Sequence, residues 1–253
     1  MRNIKLVLQY DGTNFCGYEL QPGKRSVRGE IEKALHKLFK IKTRIIGVSR
    51  TDSGVHAIAQ VVNFKTTNQI PTKRIPAALN SCLKDDIRIL GAEEKGKEFN
   101  SRYAAKSKEY EYLIFNGAII PPSVRRVAWH IKYKLDLAAM KEAAKILVGK
   151  HDFSSFCASR SDDKNFVKRI YKLSIKKRKL AVFSGEKIDL VSVRVKGDGF
   201  LYKMVRNMVG TLMEVGLGNK ITSDIKNILY GRNRRLAGRT APSHGLCLIK
   251  VHY

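Results

Sequence analysis

The sequence predicts an α+β fold made of two halves of similar rhythm, with their antiparallel or mixed sheets joined and a cleft between them. Two observations carry this prediction. Up to residue 105, segments with strand and helix periodicity follow one another in the order β-α-β-β-α-β, and a second set of strands and amphipathic helices fills the rest. We therefore expect one half at residues 1–105 and the other at residues 106–253.

The first half opens with a strand and a capped helix. Residues 2–10 alternate apolar and polar side chains, as a strand does. In SVRGEIEKALHKLFK, Ser26 is placed to cap a helix whose apolar face is formed by Val27, Ile31, Leu35 and Leu38. The segments TRIIGVSR and AIAQVVNFKT, both rich in branched residues, predict two strands. A helix from about Ile75 to Cys82 and a strand around DDIRILGA complete this half.

The second half begins with the strand KSKEYEYLIF, one face of which carries Lys108, Tyr110, Tyr112 and Ile114. DLAAMKEAAKILVG predicts a helix with Asp136 as its cap and Gly149 as its stop. Strands at about residues 167–178 and 187–196 follow. GFLYKMVRNMVGTLMEVG then predicts a helix with its apolar face starting at Phe200, SDIKNILYG a shorter one, and LCLIKVHY a strand.

The charge of the chain indicates a polyanionic partner. Lys and Arg number 49 against 22 Asp and Glu, a formal net charge of +27. Residues 106–253 hold 30 basic and 12 acidic side chains, so their excess of positive charge is twice that of residues 1–105, which hold 19 and 10. Nucleic acid is the favoured partner, while an anionic membrane surface or a generally basic proteome are alternative explanations.

The cysteines and the apolar segments predict a soluble cytoplasmic protein. No CxxC or Cys/His cluster suggests a zinc site, and we expect four buried thiols in a reducing compartment: Cys16, Cys82, Cys157 and Cys247. The sequence MRNIKLVLQY enters a strand directly and lacks the apolar stretch of a signal peptide. No apolar run approaches the length that spans a bilayer.

The segment SRTDSGVHA, residues 49–57, carries the most informative side chain. Asp52 lies between two predicted strands, beside Arg50, Thr51 and a turn-forming Gly54. From these residues alone, an aspartate that caps a turn is the more frequent explanation, and a catalytic carboxylate is the alternative.

Other motifs point away from familiar chemistry. His151, Asp152 and Ser154 are too close in sequence to form a hydrolase triad, and we interpret them as structural. The glycines at 210, 216 and 218 lack the spacing of a Rossmann or P-loop motif, so no nucleotide cofactor is implied. The basic runs KKRK at 176–179 and GRNRRLAGR at 231–239 are most simply solvated faces.

SRTDSGVHA resembles the GRTDxGVHA signature of the transfer RNA pseudouridine synthase A family, with Ser49 where the family usually has Gly. The resemblance extends in order through YDGTNFCGY, SVRGEIEKAL, ALNSCLKDDIRI, SKEYEYLIF, LVGKHDFSSF, GDGFLYKMVRNMVG and APSHGLCLIKVHY. FCGYELQ replaces the usual FxGFQ, and Arg28 stands where Gln is common. The resemblance implies the pseudouridine synthase fold, with two ferredoxin-like halves and a central basic cleft, and Asp52 as the catalytic carboxylate.

The resemblance also assigns roles that the residues alone do not. Tyr110 matches the tyrosine that stacks on the target uracil, although it could be an ordinary strand aromatic. Arg206 matches the arginine that pairs with the catalytic aspartate, whereas a phosphate contact is the default for one of so many basic residues. Leu246 matches an apolar residue packed against the base, and Arg50 one that helps to hold the extruded nucleotide; the alternatives are a core leucine and a surface phosphate contact.

Arg102, Lys108 and Lys203 are weaker RNA-contact candidates, because diffuse attraction would also account for them. The implied reaction is the isomerisation of uridine to pseudouridine in the anticodon stem-loop of transfer RNA. It moves no atoms in or out, so it requires no cofactor, and no metal site is expected. The resemblance implies a homodimer as well. A non-catalytic RNA-binding protein of the same fold, acting as a chaperone for transfer RNA, is the main alternative; a membrane-surface protein is a third, without any basic amphipathic helix to support it.

Overall fold

A computed structural model describes residues 1–159, 165–181, 185 and 187–253 of the protein. It contains ten strands: β1 Arg2–Tyr10, β2 Ile46–Gly47, β3 His56–Thr66, β4 Ile87–Lys95, β5 Ser107–Asn116, β6 Trp129–Ile131, β7 Gly149–Asp152, β8 Val167–Ala181, β9 Lys187–Gly197 and β10 Leu246–His252. It contains five α-helices: α1 Val27–Phe39, α2 Ile75–Asn80, α3 Leu137–Ile146, α4 Met204–Gly216 and α5 Asp224–Gly231. These elements form two compact units, residues 1–106 with 247–253 and residues 107–246.

The first unit is built on the strand order β4-β1-β3-β10. β1 pairs antiparallel with both β3 and β4, and the short β2 pairs antiparallel with β3. β10 runs parallel to β3, with Cys247 opposite His56. Residues 247–253, expected from the sequence in the second half, belong to the first unit because of this pairing.

Helix α1 forms where a capping residue is followed by apolar residues at helical spacing. The Ser26 hydroxyl accepts a hydrogen bond from the Gly29 N–H at 3.2 Å, as predicted for an N-cap. Val27, Ile31 and Leu35 are buried on the predicted face. Burial of three such side chains stabilises the unit by several kcal/mol, at about 1.5–3 kcal/mol each.

The second unit is built on the strand order β5-β9-β8-β7, paired antiparallel, with β6 parallel to β5. The predicted face of β5 is confirmed, because Tyr110, Tyr112 and Ile114 are all buried. The Asp136 carboxylate caps α3 by accepting from the Ala138 and Ala139 N–H groups at 2.9 and 3.0 Å. Both units are therefore α+β with mixed but mostly antiparallel sheets.

Two local predictions were wrong, and two strands were missed. TRIIGVSR forms only the two-residue β2, and beyond it the Ser49 carbonyl accepts from the Gln60 side chain at 2.8 Å. Helix α4 begins at Met204 rather than near Phe200, because Lys203 has φ +58° and interrupts helical geometry. The strands β6 and β7 were not predicted, since three or four residues give too little periodicity.

Across the described ranges, no helix is both long enough and apolar enough to cross a bilayer.

Candidate active site

Asp52 opens a tight turn between β2 and β3. The Val55 N–H donates to the Asp52 carbonyl at 3.2 Å, and Gly54, the third residue of the turn, has φ +79°. A type II turn requires a positive φ at that position, which glycine adopts without strain. The carboxylate of Asp52 is half-buried, while Ser53 at the tip of the turn is exposed. The turn thus presents a partly desolvated acid on a defined backbone.

The segment YDGTNFCGY packs against this turn and is hydrogen-bonded to it. Gly12 packs so closely that a Cβ atom there would lie 2.1 Å from the Val55 carbonyl oxygen. The Ser53 hydroxyl donates to the Phe15 carbonyl at 3.0 Å, and the Tyr18 N–H donates to the Thr51 carbonyl at the same distance. Two motifs that are separate in sequence are therefore one structural element.

Three residues close to Asp52 in the sequence, Ser49, Thr51 and His56, are buried and hydrogen-bonded. The hydroxyls of Thr51 and Tyr10 lie 2.7 Å apart. His56 accepts from the Gly12 N–H through Nδ1 at 3.1 Å, which fixes the strand that leaves the turn. Ser49, the departure from the signature, is buried, and its carbonyl accepts from Gln60. Asp52 is consequently held by a rigid scaffold, as a catalytic group requires.

Arg50 forms an ion pair with a carboxylate of the loop that precedes α1. Its Nε lies 3.3 Å from Glu19, which also pairs with Arg28, the residue that replaces a common Gln. Arg28 in turn bonds Glu32 at 2.8 Å. Arg50 and Arg102 line the same groove of about 890 Å³ within the first unit, which we call the basic groove. The structure therefore brings together two of the predicted RNA-contact residues.

In the second unit, Tyr110 packs edge-on against Phe200, with ring centroids 5.2 Å apart. Its neighbour Tyr112 is fully buried and donates to the Pro242 carbonyl at 2.7 Å, as expected of a structural strand aromatic. Gly245 lies so close to the Tyr112 ring that a Cβ there would be 2.5 Å away. This contact places Leu246, which is buried, directly after the segment that Tyr112 anchors.

Arg206 lies in the first turn of α4 and is fixed to the segment before β10. Its Nε donates to the Ala241 carbonyl at 2.8 Å, and the Ala241 N–H donates back to the Arg206 carbonyl at 3.1 Å. Burial raises the pKa of Tyr112, while Arg206 and Arg239 oppose that rise. Arg206 is thus near the buried face of β5 and has a defined orientation.

Asn207, which the sequence analysis did not single out, is the centre of a buried hydrogen-bond network. Its amide donates to the Phe156 carbonyl at 2.7 Å. Its oxygen accepts from Thr240 at 2.6 Å and from Arg234 at 3.0 Å. This network holds the segment that carries Ala241 against α4. The only sequence signal was an amide inside the apolar pattern MVRNMVG.

The two basic runs are not simply solvated faces. Arg234, in the run at 231–239, is half-buried, and burial lowers its pKa. Arg178, in the run at 176–179, bonds the buried Glu111 at 2.6 Å, and Arg194 bonds the same carboxylate at 2.9 Å. Burial would raise the pKa of Glu111, but hydrogen bonds from Ser192, Arg194 and Arg178 hold it below its ordinary value.

The remaining candidates are placed as follows. Lys203 lies 4.9 Å from the centre of the Tyr202 ring at the start of α4, and Lys108 is half-buried on β5. His151 Nε2 lies 3.0 Å from the Val148 carbonyl, and the Asp152 carboxylate accepts from the Ser154 N–H at 2.9 Å. These local contacts give His151 and Asp152 structural roles.

Comparison with known proteins identifies the family. The family model described as tRNA pseudouridine synthase matches residues 6–104 and 143–253. The chain belongs to the tRNA pseudouridine synthase family. The protein named tRNA pseudouridine synthase A from Bacillus pumilus is 46% identical over 252 residues, 99% of this chain and 98% of that one. The protein of the same name from Thermoanaerobacter sp. is 43% identical over 253 residues, 100% of both chains.

Membership in this family makes the Asp52 turn the leading candidate for the reactive site. Asp52, Arg50 and Arg102 are in the first unit, whereas Tyr110, Arg206, Leu246, Lys108 and Lys203 are in the second. That Asp52 meets Arg206 and Tyr110 in one cleft stays a prediction.

Proposed function

We propose that the protein isomerises uridine to pseudouridine in the anticodon stem-loop of transfer RNA, with Asp52 as the catalytic carboxylate. The observation that carries the proposal is the Asp52 turn, in which a half-buried acid is held by two family motifs. The name of the matching relatives, tRNA pseudouridine synthase A, supplies the substrate and the reaction class.

The reaction breaks the bond between N1 of uracil and the ribose, turns the base, and joins its C5 to the same sugar carbon. One carboxylate serves both stages if it first assists cleavage, by attacking the sugar or the uracil or by stabilising a cationic sugar, and then helps to remove the C5 proton. Atoms and electrons balance without any cofactor. A partly buried Asp52 carboxylate is suited to both tasks.

In this proposal Arg206 and Tyr110 act on the reacting carboxylate and base. A guanidinium beside Asp52 would stabilise its ionised form, and the orientation of Arg206 by Ala241 supports such a role. The target base must leave its stack, which costs a few kcal/mol. Tyr110 would offset part of that cost by stacking on the uracil, and Leu246 would pack against its other face.

The partner is transfer RNA, the compartment is the cytoplasm, and the active form is a homodimer. The dimer rests on the family resemblance alone. The alternative, a non-catalytic chaperone for transfer RNA, differs in one observable: such a protein binds RNA but leaves every uridine unchanged.

The test is Asp52→Asn, which removes the charge and keeps the shape. We expect pseudouridine formation in transfer RNA to be abolished, while the dissociation constant for RNA stays within a few fold, since the basic surface is intact. Asp85→Asn, a change at an exposed acid of the same unit, is the matched control and should retain full turnover. Turnover by the Asp52→Asn protein would refute the assignment, and no turnover by the unaltered protein would favour the chaperone.

A further inference from the structure

The basic groove is lined entirely by residues of the first unit, and Asp52 is not among them. Its volume of about 890 Å³ is in the range of ligand sites. It is bounded by the loop that precedes β2, by part of β3, and by the segment at residues 97–102. Of the predicted RNA-contact residues it contains only Arg50 and Arg102, so most of its surface has no assigned role.

Positive charge in this groove exceeds what its carboxylates can neutralise. Arg28 and Arg50 share Glu19, and Glu98 is the second acid in the lining. Within the described parts of the chain, no carboxylate lies in ion-pair range of five further exposed bases in the lining: Lys42, Arg44, Lys65, Lys97 and Arg102. Five exposed cations around one concavity attract a polyanion more strongly than scattered surface charge does.

None of the aromatic rings in the lining is exposed. Tyr18 and Phe64 are buried, and the half-buried Phe99 packs on Tyr253 with ring centroids 5.4 Å apart. Asn63 is buried and bonded to Asn3 and Ser101. Thr43 donates to the Ile41 carbonyl. The groove therefore offers several exposed cations and no exposed aromatic ring, which favours contact with phosphates over stacking on bases.

We infer that the basic groove binds the phosphodiester backbone of the RNA substrate outside the reacting nucleotide, independently of base sequence. This inference rests on the proposed function and specifies where the substrate is anchored. Lys and Arg neutralise phosphates and release counterions, which contributes affinity without sequence information. The groove thereby raises affinity for RNA, and the Asp52 turn carries the chemistry.

The test compares two double variants of equal charge change. Lys42→Gln with Arg44→Gln removes two exposed cations of the groove, whereas Lys73→Gln with Arg74→Gln removes two exposed cations of the same unit that lie outside it. We expect the groove pair to weaken RNA binding about tenfold, and to make the slope of log K against log salt shallower by about 1.4 to 1.8, because each phosphate contact contributes about 0.7 to 0.9. The control pair should change affinity less than twofold.

Two measurements separate this inference from the proposed function. Binding is measured with the Asp52→Asn protein as background, and turnover at saturating RNA is measured with Asp52 intact; the groove pair should leave kcat unchanged. Equal losses of affinity for both pairs would overturn the inference in favour of a diffuse field, even if Asp52 proves catalytic. Substrate stems with exchanged base pairs should show the same loss, and a loss that varies with sequence would overturn the backbone assignment.

Discussion

Tyr18 and Tyr112 are both fully buried, yet their hydroxyls are in opposite situations. The Tyr112 hydroxyl donates to the Pro242 carbonyl at 2.7 Å. The Tyr18 hydroxyl has no hydrogen-bond partner among the residues that the structure describes, and it lies against Gly47, where a Cβ would be only 2.1 Å from it. Burial, with a smaller contribution from the charge of Tyr10 and Glu19, raises the pKa of Tyr18. Replacing tyrosine by phenylalanine should therefore change the free energy of unfolding in opposite directions at the two positions.

The magnitudes follow from the cost of desolvating a hydroxyl. An unpaired buried hydroxyl costs about 1–3 kcal/mol, and phenylalanine removes that cost while keeping the ring contacts. Some of this gain is lost to the small void left behind, so Tyr18→Phe should stabilise the protein by about 1 kcal/mol. Tyr112→Phe loses a hydrogen bond and leaves a carbonyl without its donor, a destabilisation of about 1–2 kcal/mol.

Urea denaturation, monitored by circular dichroism for the unaltered protein and both variants, measures these differences at equal m-values. In thermal unfolding, 1 kcal/mol corresponds to a shift in Tm of about 2–4 °C for a chain of this size. If Tyr18→Phe lowered the free energy of unfolding as much as Tyr112→Phe does, its hydroxyl would have to be hydrogen-bonded, and the reasoning would be refuted.

Two further predictions concern the second unit and the response to acid. Thr240→Val removes one hydrogen bond to Asn207. If the Asn207 network positions Arg206, this substitution should lower kcat by about tenfold and leave RNA affinity unchanged. An unchanged kcat in steady-state kinetics would mean that the network is purely structural. The pKa values of Glu111 and Asp86 are lowered in the folded protein, so the stability they contribute is present above about pH 4 and is lost as the pH falls through their folded pKa values. In thermal melts from pH 7 to pH 2, the Tm of Glu111→Gln should decrease less with falling pH than the Tm of the unaltered protein. An equally steep decrease would contradict this.

The sequence was sufficient where a local pattern determines the structure. Ser26 and Asp136 cap helices as predicted, because a cap needs only its own side chain and the next turn of backbone. The burial of Tyr112 and the long strand β8 followed from alternation alone. The shortening of the strand at TRIIGVSR was not predicted, and the bond from the Gln60 side chain to its Ser49 carbonyl is a contact that the local pattern does not reveal.

The same distinction between local patterns and long-range contacts applies to the residues around the candidate site. The turn at Asp52 was predicted from its motif, whereas the buried polar contacts of Asn207, Arg234 and Glu111 were missed because such networks depend on long-range contacts. Arg234 illustrates the difficulty: in a run of four arginines, sequence does not reveal which guanidinium is covered. The accumulation of cations around the basic groove likewise involves segments that are far apart in sequence, and only the fold brings them together.

The first unit is discontinuous, because residues 107–246 separate it from its strand β10. During synthesis at about 5–20 residues per second, residues 1–106 wait on the order of ten seconds for that strand to emerge. Until then the edge of β3 that begins at His56, next to the Asp52 turn, lacks its parallel neighbour. A nascent chain therefore cannot complete the sheet of the first unit until the residues of the second unit have been synthesised.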